Sequence, residues 1–354
     1  MSAPLQTFLT QPVPAASRTP SVVMGKVDYL SVLLRLVAME LYKLRRRALS
    51  KVLAIVAVGI IVLALLLVAL VVGLEMSKPA ADFAPVLCSH MPKLKPPECI
   101  NRQPTEAELA QYKQTALTRD AGFLRLPVSI YGIINIAVNF SILTPLIIIL
   151  AGVIVGGEYS LGTVRLIFTR GPTRIQFLLA KLLAALICTV IGLLAIALIG
   201  ISLGYLLSLV SGTTPDFHFF TGAWLAHALL YLLVGMLGWF AYAMVALFFG
   251  ILGRSTTAGV VSGLIWLFME PILSQLLHLL SGIVGGAIGN FLKAVPDYLI
   301  NNNIDALLQN QSHLIEGLPA SSLSDLHALF VLAGYLVVFV GLSCWLIVQR
   351  DVAH

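Results

Sequence analysis

Charge is what this sequence has least of: 11% of its 354 residues are Asp, Glu, Lys or Arg, whereas 59% are hydrophobic. A soluble domain carries about 25% charged residues, so most of this chain is not built to face water. Nucleotide chemistry is missing as well. No G-x-x-x-x-G-K-[ST] run occurs, and the lone Gly25-Lys26 pair has no glycine loop around it, which leaves no phosphate cradle on this polypeptide. H-E-x-x-H is absent and the seven histidines are scattered, so neither a metalloprotease nor another metal site is supported. Gly200-Ile201-Ser202-Leu203-Gly204 matches G-x-S-x-G, but a nucleophile elbow needs a strand-turn-helix context and this run lies inside an apolar segment. Its Gly200-x-x-x-Gly204 spacing reads instead as helix packing. No converging catalytic set is left, and the chain is not expected to be an enzyme.

What the chain does have is long apolar runs. A bilayer core of roughly 30 Å takes about 20 apolar residues to cross, and six segments reach or approach that length: 52–74, 130–155, 177–207, 223–252, 258–280 and 328–348. Mean hydropathy is +0.96. The expected fold class is therefore all-α and polytopic, with six transmembrane helices and both termini on one side. Basic residues choose the side. With the N-terminus in the cytoplasm, the inner segments hold 14 bases against 4 acids, while the outer segments hold 8 bases against 11 acids. The net charge of +6 is thus spent on topology and lipid headgroups, and no nucleic-acid partner is expected. A signal peptide is not expected either, because about fifty residues precede the first apolar run and that run exceeds an h-region.

The domain layout follows from these spans. Residues 1–24 are rich in Pro, Ala, Ser and Thr without a period and read as a disordered tail. Residues 25–51 read as a cytoplasmic interfacial helix, with Asp28, Ser31, Arg35, Lys43 and Arg46 on one face and Leu30, Leu33, Leu34, Val37, Leu41 and Leu44 on the other. Residues 52–354 read as a single six-helix membrane domain. Its first external loop, 75–129, carries Cys88 and Cys99, which fall on the oxidising side and are placed to form a disulfide. Thr105 and Glu108 make a T-x-x-E capping box for a helix running to about Gly122. Cys188 and Cys344 lie in spans as packing residues. Segment 281–326 is apolar but Gly-rich and broken by Lys293 and Pro296, which suits an external or re-entrant helical pair.

Glu270 lies within the fifth span. A mid-span carboxylate costs on the order of 3 kcal/mol on insertion scales, so it is normally buried or faces water. At helical spacing it aligns with Ser262, Trp266, Ser274 and His278 in one polar stripe, beside Pro271. Asn135 and Asn139 make a shorter polar face on the second span. Both sets suit either a polar path or plain interhelical hydrogen bonds, each worth about 0.6 kcal/mol.

The most informative stretch is the short polar loop 156–176 between the second and third spans. Glu158-Tyr159-Ser160-x-Gly162-Thr163-x-Arg165, then Thr169-Arg170-Gly171-x-x-Arg174, and Phe177 followed by Lys181, resembles the signature of ABC-2 type permeases, the membrane subunits of export-type ABC transporters. The six-span layout and the basic interfacial helix agree with that family. The likeness covers about residues 28–350, with 156–181 as its specific part. It implies a type V exporter-like architecture at the plasma membrane and a homodimer with a second permease copy. It also implies two copies of a separate ATP-binding cassette subunit holding ATP and Mg²⁺, with no cofactor on this chain. The loop would be the coupling helix, meeting that subunit through Glu158, Tyr159, Gly162, Thr163, Arg165, Arg170, Gly171 and Arg174. Glu158 would complement the helix start, Gly162 would permit close approach, and the arginines would seek carboxylates. Because the second and fifth spans flank the family's translocation path, the resemblance points to Asn135, Asn139, Ser262, Trp266, Glu270 and Ser274. The same loop also suits a helix resting on lipid headgroups. A signalling or immunity module driven by the same ATPase, and a secondary transporter, remain open as functions.

Overall fold

The computed structural model describes residues 29–79, 105–111, 113, 143–160, 162, 168, 172–210, 221–316 and 320–349. The described residues contain no strand. In chain order the helices are α1 (Tyr29–Arg46), α2 (Ala48–Ser77), α3 (Thr144–Ser160), α4 (Arg174–Val210), α5 (Gly222–Leu252), α6 (Thr256–Val284), α7 (Gly286–Ala294), α8 (Ile300–Glu316) and α9 (Asp325–Gln349), with a 3-10 turn at Val295–Tyr298 between α7 and α8. Five of these, α2, α4, α5, α6 and α9, are long and apolar enough to cross a membrane. The chain is a helical, multi-pass membrane protein. The expected second span is represented by α3, a shorter apolar helix of 17 residues, and positions 130–142 of that span lie outside the described residues. So do Asn135, Asn139, Cys88 and Cys99.

α5 is the central post, packed against α3, α4, α6, α8 and α9. Small residues let α3, α5 and α6 approach closely. A Cβ placed on Gly156 of α3 would collide with the backbone of Thr256, and one on Gly259 of α6 would sit 2.7 Å from the Ala246 carbonyl oxygen of α5. Gly152 and Gly263 face Val260 and Ile148 in the same way. Gly152-x-x-x-Gly156 and Gly259-x-x-x-Gly263 are the small-residue spacing that lets apolar helices pack where lipid supplies no hydrophobic drive. Elsewhere the outer faces stay apolar, as at Ile55, Leu63 and Leu66 of α2 and Val337 of α9, which suits contact with acyl chains.

The helix ends sort into two groups. One end of the bundle gathers α1, the C-terminus of α3, the N-termini of α4 and α6, and the C-terminus of α9; Gly156 lies against Thr256, and Arg174 donates to the Val348 carbonyl at 2.9 Å. The other end holds α7, the 3-10 turn and α8. Segment 281–326 is thus a short helical pair, as its composition suggests, though α6 runs on to Val284 before the Gly285-Gly286 break, where both glycines take left-handed φ of 61°.

α1 is amphipathic but its buried stripe differs from the expected one. Leu33, Val37, Glu40 and Leu44 are buried, at spacings of four, three and four, whereas Leu30 and Leu34 are exposed. α1 packs on α4, with Leu33 and Val37 against Ala180 and neighbouring Leu183 and Ile187. A carboxylate therefore sits where a hydrophobe was expected, and the reason lies in its partners. The Thr105–Glu108 box forms as read: Thr105 N–H donates to Glu108 Oε2 at 3.0 Å and Glu108 N–H to Thr105 Oγ1 at 3.4 Å. Ser202 spends its hydroxyl on the Leu198 carbonyl one turn back. Cys188 and Cys344 are free and packed against the core.

Candidate functional site

Four ionised side chains from three helices meet at the α1 end. Lys43 Nζ lies 2.6 Å from Glu158 Oε1 and 3.0 Å from Glu40 Oε1; Lys181 Nζ lies 2.9 Å from Glu158 Oε2 and 3.5 Å from Glu40 Oε2. Lys181 is 1% exposed, donates to the Ile154 carbonyl at 2.7 Å, and stands 4.7 Å from the Phe177 ring centre. Burying two acids and two bases is tolerable only when each charge is paired and its remaining donors are satisfied, and here they are. Arg47 adds a bond to the Val153 carbonyl at 3.2 Å, its guanidinium passing over Gly157 where a Cβ would intrude. Burial alone pulls the Lys43 ammonium down, but the Glu158 hydrogen bond and the charges of Glu40 and Glu158 outweigh it and leave its pKa above the ordinary lysine value.

This geometry corrects the expected role of Glu158. It is in the last turn of α3, not at the start of a helix, so it meets the negative end of that helix's dipole. Its charge is offset by the two lysines instead. Tyr159 is partly buried against the core. Gly162 has open space around it and a φ of 66°, with its N–H on the Tyr159 carbonyl; its role within the chain is to end α3 in a left-handed turn that side chains resist. Thr163, Arg165, Arg170 and Gly171 lie outside the described residues. Arg174 opens α4 and gives Nη1 to the carbonyls of Ile347 (3.1 Å) and Val348 (2.9 Å), closing the last turn of α9.

The third buried glutamate is built differently. Glu270 on α6 is 4% exposed, and its two oxygens accept from the Tyr242 hydroxyl of α5 and the Asn301 backbone N–H at the start of α8, both at 3.1 Å. No described base forms an ion pair with it. Ser262, Trp266 and Glu270 line one groove of about 400 Å³ together with Phe249 and Tyr335. Ser274 lies deeper, taking a bond from Asn302 Nδ2 at 3.3 Å. The stripe read from helical spacing is thus split: three members share the groove, Ser274 binds α8, and His278 lines a separate cavity.

The family described as protein of unknown function (DUF2705) matches residues 122–353, more than half of the chain. The chain belongs to that family. No curated protein and no solved structure matches it. The matched region takes in α3 to α9, and so Glu158, Lys181, the Glu270 groove and the cavity beside α8, while α1, with Glu40 and Lys43, precedes it.

Sequence reading assigned Lys43 to headgroups and gave Glu40 no role, and it missed the Glu270 partners Tyr242 and Asn301. Two signals were available. Glu40 and Lys43 are three apart on one helix, and Lys181 is a lone base inside an otherwise apolar run.

Proposed function

We propose that this chain is the transmembrane permease subunit of an ATP-driven, export-type transporter of the ABC-2 kind. ATP and Mg²⁺ would be bound by two copies of a separate ATP-binding cassette subunit, and a second copy of this chain would complete the membrane unit. The α1 end would face the cytoplasm, with both termini there, in a plasma membrane. The observation that carries this reading is the run Glu158-Tyr159-Ser160-x-Gly162-Thr163-x-Arg165 through Arg174, set between two apolar helices on a chain without a phosphate loop. Its flanks suit a docking loop. Glu158 is clamped by α1 and α4, and Arg174 by the end of α9, so a push on the loop would be delivered to three helices at once.

Charge reversal at Arg165 and Arg170 tests the reading. Co-purification with the nucleotide-binding subunit encoded beside it, or the ATPase rate that the permease stimulates, is expected to fall while membrane insertion stays intact. Unchanged co-purification together with unchanged stimulation would overturn the proposal.

A further inference from the structure

Beside α8 lies a cavity of about 580 Å³, within the range of small-molecule sites, roughly 300–1,000 Å³. Unlike most such sites, and unlike the groove at Glu270, its lining is dominated by polar residues: nine of twelve are charged, amide, hydroxyl or imidazole groups, and none is Phe, Tyr or Trp. Its two sides differ in charge. α7 presents Lys293 from its last turn, with His278 of α6 nearby; the 3-10 turn presents Asp297, and α8 presents Asn302, Asp305 and Gln309 at helical spacing.

The walls are held in place before any ligand arrives. The Asp297 carbonyl accepts from Asn303 Nδ2 at 2.9 Å, and His327 Nε2 lies 3.0 Å from the same oxygen. Asn310 of α8 fixes the covering segment, donating to the Leu323 carbonyl (3.0 Å) and Asp325 (2.7 Å) and accepting from the Ser321 N–H (2.8 Å). Inside this frame one group is unfinished. Asp305 Oδ2 accepts from Asn301 Nδ2 at 2.8 Å, but Asp305 Oδ1 is buried without a hydrogen-bond partner. A buried carboxylate oxygen left bare is costly, and what it lacks is a donor, best a charged one.

We propose that this cavity binds a zwitterionic solute carrying a primary ammonium and a phosphate or carboxylate, with the ammonium against Asp305 and Asp297 and the anion toward Lys293. A primary ammonium brings three donors, which suit two carboxylates and the amide oxygens of Asn302 and Gln309. A quaternary ammonium brings none and is recognised by aromatic faces, which this lining lacks. Burial pushes the Asp305 carboxyl up to about 7, against the Asn301 hydrogen bond and with the Glu270 charge adding to the rise; a bound ammonium would return it to the ionised form. The site is independent of the transporter reading, since it needs neither ATP nor a second subunit. Its chemistry fits the ethanolamine phosphate headgroup of a lipid and equally a free zwitterion of the same kind.

The test uses the full chain in phosphatidylcholine nanodiscs, titrated calorimetrically with phosphoethanolamine, phosphocholine, ethanolamine and inorganic phosphate. Phosphoethanolamine is expected to saturate, with each of the other three at least about tenfold weaker, and Asp305→Asn and Lys293→Gln each weakening it by about tenfold or more, the loss of one charge-assisted contact. Adding phosphatidylethanolamine to the discs lowers the apparent affinity for the free compound if the headgroup is the natural occupant, and leaves it unchanged if a soluble zwitterion is. Absence of saturable phosphoethanolamine binding, or binding of phosphocholine just as tightly, would overturn the proposal. So would unaltered binding by both variants with their thermal unfolding intact.

Discussion

Glu158 and Glu270 are both buried, and the protein treats them oppositely. Glu158 is held by two lysines within 3 Å, whereas Glu270 has a phenol, a backbone N–H and, among the described residues, no base. The first arrangement is complete: α1, α3 and α4 are tied together with charges balanced. The second is unfinished in charge although satisfied in hydrogen bonds, and it borders a groove large enough to admit a guest. A carboxylate with its own counterions serves as a joint, and one without them is available to a ligand or a proton. That contrast sets a charge-balanced joint at the α1 end against a carboxylate without a described counterion on α6.

The comparison is broken most severely by removing one member of the joint. Lys181→Met leaves Glu40 and Glu158 sharing a single lysine, and a buried pair cut on one side typically costs about 3–5 kcal/mol. Thermal unfolding in detergent is expected to show the largest loss of any variant considered. Adding Glu158→Gln to it should recover part of that loss, because no bare charge is then left. If the single and double variants are equally unstable, Lys181 acts through packing and not through charge.

At Glu270 smaller effects are expected, and they separate shape from charge. Glu270→Ala orphans the Tyr242 hydroxyl and the Asn301 N–H, a loss of about 1–3 kcal/mol. Glu270→Gln can keep both bonds, since the amide oxygen accepts from Asn301 and the Tyr242 hydroxyl can turn to accept from the amide nitrogen, so stability should change by less than about 1 kcal/mol. If turnover still falls in the Gln variant with assembly preserved, the charge itself is used. A Gln variant as unstable as the Ala variant would mean that Glu270 is a joint after all.

The mildest perturbation is pH, acting through Asp305. Its folded-state pKa of about 7 stands above the ordinary 3.8, so between those values the folded chain binds more protons than the unfolded one. Stability therefore falls as pH rises through that window and levels off above it. A melting temperature several degrees lower at pH 8 than at pH 5 is expected, with a flatter slope in Asp305→Asn. An identical slope in both proteins would assign the dependence to other groups.

Much of this architecture could be read from the residues, because a run of about twenty apolar side chains has few other uses. The helix α6 and the polar stripe on it followed from spacing alone. What spacing cannot carry is partnership across the fold. Lys43 and Glu158 are 115 positions apart, and nothing local marks them as mates. Amphipathic reasoning assumes that charge points to water, so it has no place for a buried Glu40 on α1. Nor does spacing show that Gly162 takes a φ of 66°. Tyr242 was hidden for the opposite reason: in so apolar a helix an aromatic ring looks like ordinary filling, and only its hydroxyl at 3.1 Å from Glu270 distinguishes it.

Arg174 has a bearing on how the protein is made. Its guanidinium is satisfied in part by the carbonyls of Ile347 and Val348, 173 and 174 positions farther along. A ribosome must add the whole of α5 to α9 before those acceptors exist, so α4 enters the membrane with its first residue still awaiting them. The final turn of α9 is a closing latch, set only after α5 to α9 have been made. A chain that stops at residue 340 would insert four of the five long helices entire, yet leave Arg174 without either of these carbonyls.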